Sequence, residues 1–175
     1  MRVAICTPLY PPDVAPLAEY VRTLAERLRE HHTVTVVTYG RLPVEIAGVT
    51  IVAIDKRAPL LTRLYRYLRA FMQSARDAEL VLVMNGASTE LPFILASYLV
   101  KTKAFFVVGD VAAHEWVQTT ILRKFLESTS MLRARKVVLE VPNPRPEILP
   151  LDEYPVGALR AYEHDWETHL HTLGL

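Results

Sequence analysis

The sequence predicts an α/β protein of Rossmann-like, doubly wound type: a mainly parallel sheet of about six strands with helices on both faces. Three observations predict it. Strand-like and helix-like segments alternate almost throughout the chain. The strand-like segments are continuous apolar runs, as strands buried on both faces are. The opening stretch, RVAICTPLYPPDVAPLAEYVRTLAERLREHHTVTVVTYG, already reads as strand, crossover helix and strand.

Each element has its own signal. Arg2 to Cys6 is a short β-branched run stopped by Pro8, Pro11 and Pro12. Asp13 is a candidate helix cap, and Pro16 suits a first helical turn. Leu17, Tyr20, Val21, Leu24 and Leu28 then recur at helical spacing. Thr33 to Thr38 and Val49 to Ile54 are strands. A helix over 59–75 follows, with Leu60, Leu61, Leu64, Leu68, Phe71 and Met72 as its buried stripe. Leu80 to Met84 is a strand, Glu90 to Val100 a helix and Ala104 to Val108 a strand. His114 to Glu127 is a helix, and Lys136 to Val141 the sixth strand. Pro142, Pro144 and Pro146 end regular structure, because proline lacks the donor and restricts its neighbour. Val156 to Leu173 is a last helix, with Leu159, Tyr162, Trp166, Leu170 and Leu173 on one side. The expected organisation is a domain over 1–141, a Pro-rich linker over 142–155 and a helix over 156–175 that packs back on the domain.

A chain of 175 residues, 51% apolar and 22% charged, is a folded domain with a sizeable core and not a disordered segment. Its net charge of +1 gives no support for nucleic-acid binding, and none is expected. The lone cysteine, Cys6, allows no disulfide within the chain and fits a reducing cytoplasm. It is expected to be a small buried hydrophobe. No apolar run reaches the roughly 18–20 residues that span a bilayer. No secretory signal is expected, since Pro8 comes too early for an apolar leader.

In such a sheet, ligands bind beyond the carboxyl ends of the strands, where the strand order reverses. Three loops converge there: 7–16, 85–89 and 109–116. The first offers Tyr10 and Asp13 as substrate-binding candidates, the second Asn85 and Ser88, the third Gly109 and Glu115. Asp110 and His114 in the third loop are the candidate catalytic pair. An Asp or His at a strand end can orient or deprotonate a hydroxyl, and imidazole titrates near neutrality. Asp13, Ser88, Thr89 and Asp110 also read as helix caps. His31 and His32 are adjacent and cannot face one metal, and His164, His169 and His171 are expected on the surface. No phosphate-loop or dinucleotide-binding glycine motif is present, so no cofactor and no metal site is expected.

The combination of TPLYPPD, AEYVRTLAERL and HHTVTVVTYG resembles the start of family 4 glycosyltransferases of GT-B architecture. The resemblance extends loosely to about residue 116. It implies the acceptor-side, N-terminal Rossmann-like domain of an enzyme that transfers sugar from a nucleotide-sugar. Ala15 and Pro16 stand where the family has a Gly-Gly pair, so donor contact at this loop is expected to be impaired or lost. VVGDVAAHEW resembles a G-D-x-x-W-E segment of the family: Gly109 and Asp110 match, while His114, Glu115 and Trp116 are differently spaced.

The family's donor domain carries a pair of glutamates, and the 34 residues after Val141 cannot build it. The last helix resembles the family's returning terminal helix. A nucleotide-sugar is therefore expected only with a separate donor-binding domain as partner, and a sugar or lipid-linked molecule as acceptor. The alternative is a non-catalytic binding or regulatory module with a degenerate glycosyltransferase fold.

Lys56, Arg57, Arg63, Arg66, Arg69 and Arg76 lie in a segment without acids between Asp55 and Asp77. A basic amphipathic helix suits an anionic membrane surface, with Arg63, Arg66 and Arg69 as contacts. It reads equally as a crossover helix with a solvated arginine face. The expected location is cytoplasmic, with peripheral contact at the inner face of the membrane.

Overall fold

A computed structural model describes residues 1–109, 114, 120–144 and 156–175. Its elements, in chain order, are β1 (Arg2–Cys6), α1 (Pro16–Leu28), β2 (Thr33–Tyr39), β3 (Val49–Ile54), α2 (Leu60–Asp77), β4 (Leu80–Met84), α3 (Ala87–Ser97), β5 (Ala104–Val107), α4 (Ile121–Arg133), β6 (Lys136–Val138) and α5 (Val156–Leu173). The six strands form one sheet in the order β3-β2-β1-β4-β5-β6. Every pairing is parallel; Ile5, for example, sits between Val36 and Leu82. This is the α/β doubly wound class that the alternation of elements predicts.

Side chains alternate across the sheet with a period of two, which splits the core into two layers. Val3, Ile5, Val34, Val36, Leu80 and Leu82 face α1 and α5. Ala4, Cys6, Val37, Val81, Val83 and Phe106 face α2, α3 and the end of α4. Cys6 is fully buried, and burial pushes its thiol pKa up.

Local chemistry explains where the helices differ from expectation. Asp13 does not cap α1; the cap is Ala15, whose extended backbone carries no side-chain bond, with Pro16 in the first turn. Neither Ser88 nor Thr89 caps α3, because the helix starts earlier, at a glycine cap, Gly86. Gly86 has φ +138°, and a Cβ there would lie 2.9 Å from Pro8 Cγ. Only glycine can hold this turn against the β1 loop. In α2 the buried residues are Tyr67, Ala70, Phe71 and Ala75, while Leu60 and Leu61 are exposed. The Tyr67 ring stacks on Tyr39 at 4.4 Å, and its hydroxyl donates to Thr7 O and Val37 O. Phe71, with Leu68 and Met72 packed against the core, keeps the expected stripe, and only its first turn, Leu60 and Leu61, faces water.

The last helix packs back on the domain. Trp166 is fully buried, stacks on Tyr20 at 5.8 Å and donates to Asn143 O at 3.1 Å. Leu173 is buried and Leu170 half-buried, whereas Leu159 is exposed. Arg27 holds Glu163 through two hydrogen bonds of 2.8 and 2.9 Å and lies over the Trp166 ring. His169, expected on the surface, is buried against Tyr20, with 2.7 Å between the hydroxyl and Nε2. Burial lowers its pKa to about 4.

Candidate functional site

The strand order reverses between β1 and β4, which is where a crevice opens beyond the carboxyl ends of a parallel sheet. Three segments border it: the loop after β1, the Asn85-Gly86 turn after β4, and Val108-Gly109 after β5.

The β1 loop is tied down from within. The Thr7 hydroxyl donates to Leu9 O at 2.7 Å, and the Tyr10 amide donates to Asp13 at 3.4 Å. Tyr10, a substrate-binding candidate by sequence, is packed in the core; burial, eased by Arg22 and reinforced by Glu26, pushes its pKa up to about 12. Asp13 is held by Lys56, whose ammonium sits 2.6 Å from both carboxylate oxygens. Beside them lies a cavity of about 440 Å³ lined by Pro11, Pro12, Asp13, Val14, Pro16 and Pro144. Pro16 removes one helix N–H and no glycine lets a phosphate approach the backbone, so this helix start is a poor phosphate cradle.

Asn85 is buried, and its Oδ1 accepts from Gly109 N at 3.0 Å. That bond clamps the ends of β4 and β5 together. The glycine keeps the backbone close: a Cβ on Gly109 would lie 2.7 Å from Leu17 Cδ1. Ser88 is exposed on the first turn of α3, and its carbonyl accepts from the Tyr39 hydroxyl. Asp110 and Glu115 lie outside the described residues, as does Trp116.

His114 is described, and it has a partner that sequence reasoning missed. Its Nδ1 lies 2.7 Å from Glu127 Oε1, and the Glu127 side chain is buried in α4. A carboxylate accepts only, so with it as partner Nδ1 carries the proton and Nε2 is left as the basic nitrogen.

A second missed acid adjoins this pair. Glu90, on the first turn of α3, is 1% exposed. Its Oε1 accepts from Gly86 N at 2.8 Å, while Oε2 has no hydrogen-bond partner among the described residues. Burial raises the Glu90 pKa to about 7; the Gly86 amide opposes the rise and the nearby Glu127 charge adds to it. Glu90 is thus bonded to the Gly86 turn and near enough to Glu127 to feel its charge. Both acids carry a sequence signal. Glu90 opens the apolar run LPFILA, and Glu127 is the lone acid in ILRKFLESTSMLRARK. Among the described residues, no three His, Cys, Asp or Glu side chains are grouped to hold a metal.

No protein-family model and no curated protein sequence matches the chain. Solved structures do match in fold. One is a Listeria monocytogenes protein assigned as a UDP-N-acetylglucosamine 2-epimerase: TM-score 0.54, 14% identity, 78% of this chain and 38% of that one. Another is UDP-GlcNAc 2-epimerase from Methanocaldococcus jannaschii: TM-score 0.52, 13% identity, 81% of this chain and 40% of that one. An alpha-glucosyltransferase in complex with UDP and DNA follows at 0.49 and 12% identity, over 78% of this chain and 37% of that one. At such identities the likeness shows the fold alone. The chain spans about two-fifths of the length of the two epimerase structures.

Proposed function

We propose that this chain is the acceptor-side domain of a glycosyltransferase, with residues 1–141 as the Rossmann-like unit, 142–155 as linker and α5 as the returning helix. The sugar arrives as a nucleotide-sugar on a separate donor-binding domain. The observation that carries this reading is the hydrogen-bonded His114–Glu127 pair, in the part of the chain that follows β5. His114 Nε2 takes the proton of an acceptor hydroxyl. The hydroxyl oxygen then bonds to the sugar as the bond from sugar to phosphate breaks, and the nucleotide leaves with the partner domain. Glu127 holds the ring and balances the imidazolium that forms.

Two further observations support it. The β1 loop is poor in phosphate donors, so the donor has to be held elsewhere. Val14 and Leu42 are apolar and exposed, and Val14 borders the proline-lined cavity, which suits a surface on which a donor-binding domain docks. From their place in the sequence, Asp110 and Glu115 are proposed as further acceptor-binding residues, with Asn85 and Gly109 as frame. The reading is tested by isolating the chain from its own cells with whatever it binds and assaying nucleotide-sugar breakdown. A complex with turnover is expected; a lone chain with none ends the proposal.

Ala15 and Pro16 favour a second reading, a non-catalytic module that kept the fold and lost donor contact. It predicts a complex without turnover.

The reading places the chain in the cytoplasm, with α2 resting on an anionic membrane. Arg66 and Arg69 are exposed and available for that contact. Arg63, the third proposed contact, is half-buried, lying over the Tyr39 ring and donating to Lys56 O. Among the described residues, no helix is long and apolar enough to cross a membrane.

A further inference from the structure

The helices α2, α3 and α4 lie side by side on one face of the sheet, with α3 in the middle. Their outer surface carries several large apolar side chains. Leu61 and Tyr65 of α2, Leu95 of α3 with Leu99 just after it, and Phe125 and Leu132 of α4 are all exposed. The same surface is basic. Arg66, Arg69, Lys124, Arg133 and Arg135 are exposed along it, and the Arg133 guanidinium lies 3.9 Å from the centre of the exposed Tyr98 ring, bridging α3 and α4.

The acids are what set this face apart. The three helices hold Asp77, Glu90 and Glu127, and the last two are buried. Asp77, at the far end of α2, is the exposed one. The opposite layer differs: α1 and α5 carry Glu19, Glu26, Glu163, Asp165 and Glu167.

We infer that the whole outer face of the α2–α3–α4 layer lies on an anionic lipid surface. Apolar side chains of this size left facing water mark an interaction surface. Cations interspersed with Leu, Phe and Tyr match a headgroup region, where phosphates meet the charges and rings and leucines enter the acyl boundary. A second copy of the chain fits less well, because it would set basic against basic. The face stands broadside to the sheet, so the crevice edge remains open to acceptor and donor domain. The inference adds α3 and α4 to the α2 contact proposed above, and it stands whether or not the chain takes part in sugar transfer.

The test is sedimentation of the purified chain with vesicles of phosphatidylcholine alone or mixed with phosphatidylglycerol, at low and high salt. Binding to the anionic vesicles, weakened by salt and absent on the neutral ones, is expected. Lys124→Glu/Arg133→Glu/Arg135→Glu should weaken binding at least ten-fold, with circular dichroism reporting that the fold persists. Ser128→Cys on the exposed side of α4, labelled with an environment-sensitive dye, gives a readout that needs no charge reversal; its emission should shift to the blue on anionic vesicles. No binding, or no dye shift together with unchanged binding of the α4 variant, overturns the inference. Loss of binding in Arg66→Glu/Arg69→Glu alone, with α4 indifferent, also overturns it while leaving the α2 contact standing. Salt-resistant dimers abolished by Phe125→Ser would show a self-interface instead.

Discussion

Glu127 Oε1, buried in α4, lies 2.7 Å from Nδ1 of the partly exposed His114. A buried carboxylate with one hydrogen-bond partner among the described residues is a costly arrangement, and it has a chemical consequence. It fixes which nitrogen of His114 carries the proton. Long-range ¹⁵N–¹H spectra of the neutral ring should therefore show the Nδ1–H form in the native protein. Glu127→Ala should shift the ring toward the Nε2–H form. The same tautomer in both proteins would remove Glu127 from the account.

Two buried groups should give stability opposite slopes with pH. The folded-state pKa of Glu90 is raised from 4.5 to about 7. Its contribution is fully present below 4.5 and is lost as pH rises to 7, an effect of about 3 kcal/mol at most. His169 is lowered from 6.5 to about 4, so its contribution is present above 6.5 and is lost as pH falls toward 4. The two nearly cancel between 4.5 and 6.5, and single variants expose them. Glu90→Gln should gain stability relative to wild type as pH rises from 5 to 8 in urea denaturation, since the amide keeps an acceptor for Gly86 N. His169→Gln should gain relative to wild type as pH falls from 6.5 to 4. Curves parallel to wild type would show that neither group titrates as assigned.

Gly86 and Gly40 make a matched pair. At Gly86 the φ of +138° and the contact with Pro8 both oppose a side chain, whereas a Cβ on Gly40 meets nothing within 4 Å. Gly86→Ala should cost about 1–3 kcal/mol in denaturation, and Gly40→Ala at most about 0.5 kcal/mol. Equal costs would contradict the close approach of the β1 loop to the turn after β4.

Trp166 should control the docking of α5. Trp166→Ala should cost about 3–5 kcal/mol and raise hydrogen exchange throughout 156–173 before the sheet is affected. A small cost with unchanged exchange would mean that α5 is held by Arg27 and Glu163 instead.

The sheet was readable from sequence because its strands are short apolar runs bounded by glycine and proline, as β1 and β4 are. Helix faces were less readable. Leucine spacing in α2 pointed to Leu60 and Leu61, but Tyr67 stacking on Tyr39 sets the buried side, and that contact joins residues far apart in the chain. The α3 start was missed because its cap is glycine, which carries no side-chain signal. His114 was found through the resemblance of its loop. Its partner was not: Glu127 stands out as the lone acid of a basic and apolar segment, but that alone does not say which residue it meets. Its burial emerges only when α3 and α4 pack together.

The most direct test of the proposed chemistry is the rate of sugar transfer or nucleotide-sugar breakdown by the complex of this chain with its donor-binding partner, native against His114→Ala. Loss of a positioned general base predicts a fall of about 10²–10⁴-fold in kcat, with KM for the nucleotide-sugar little changed. A His114→Ala complex as active as the native one would contradict the account.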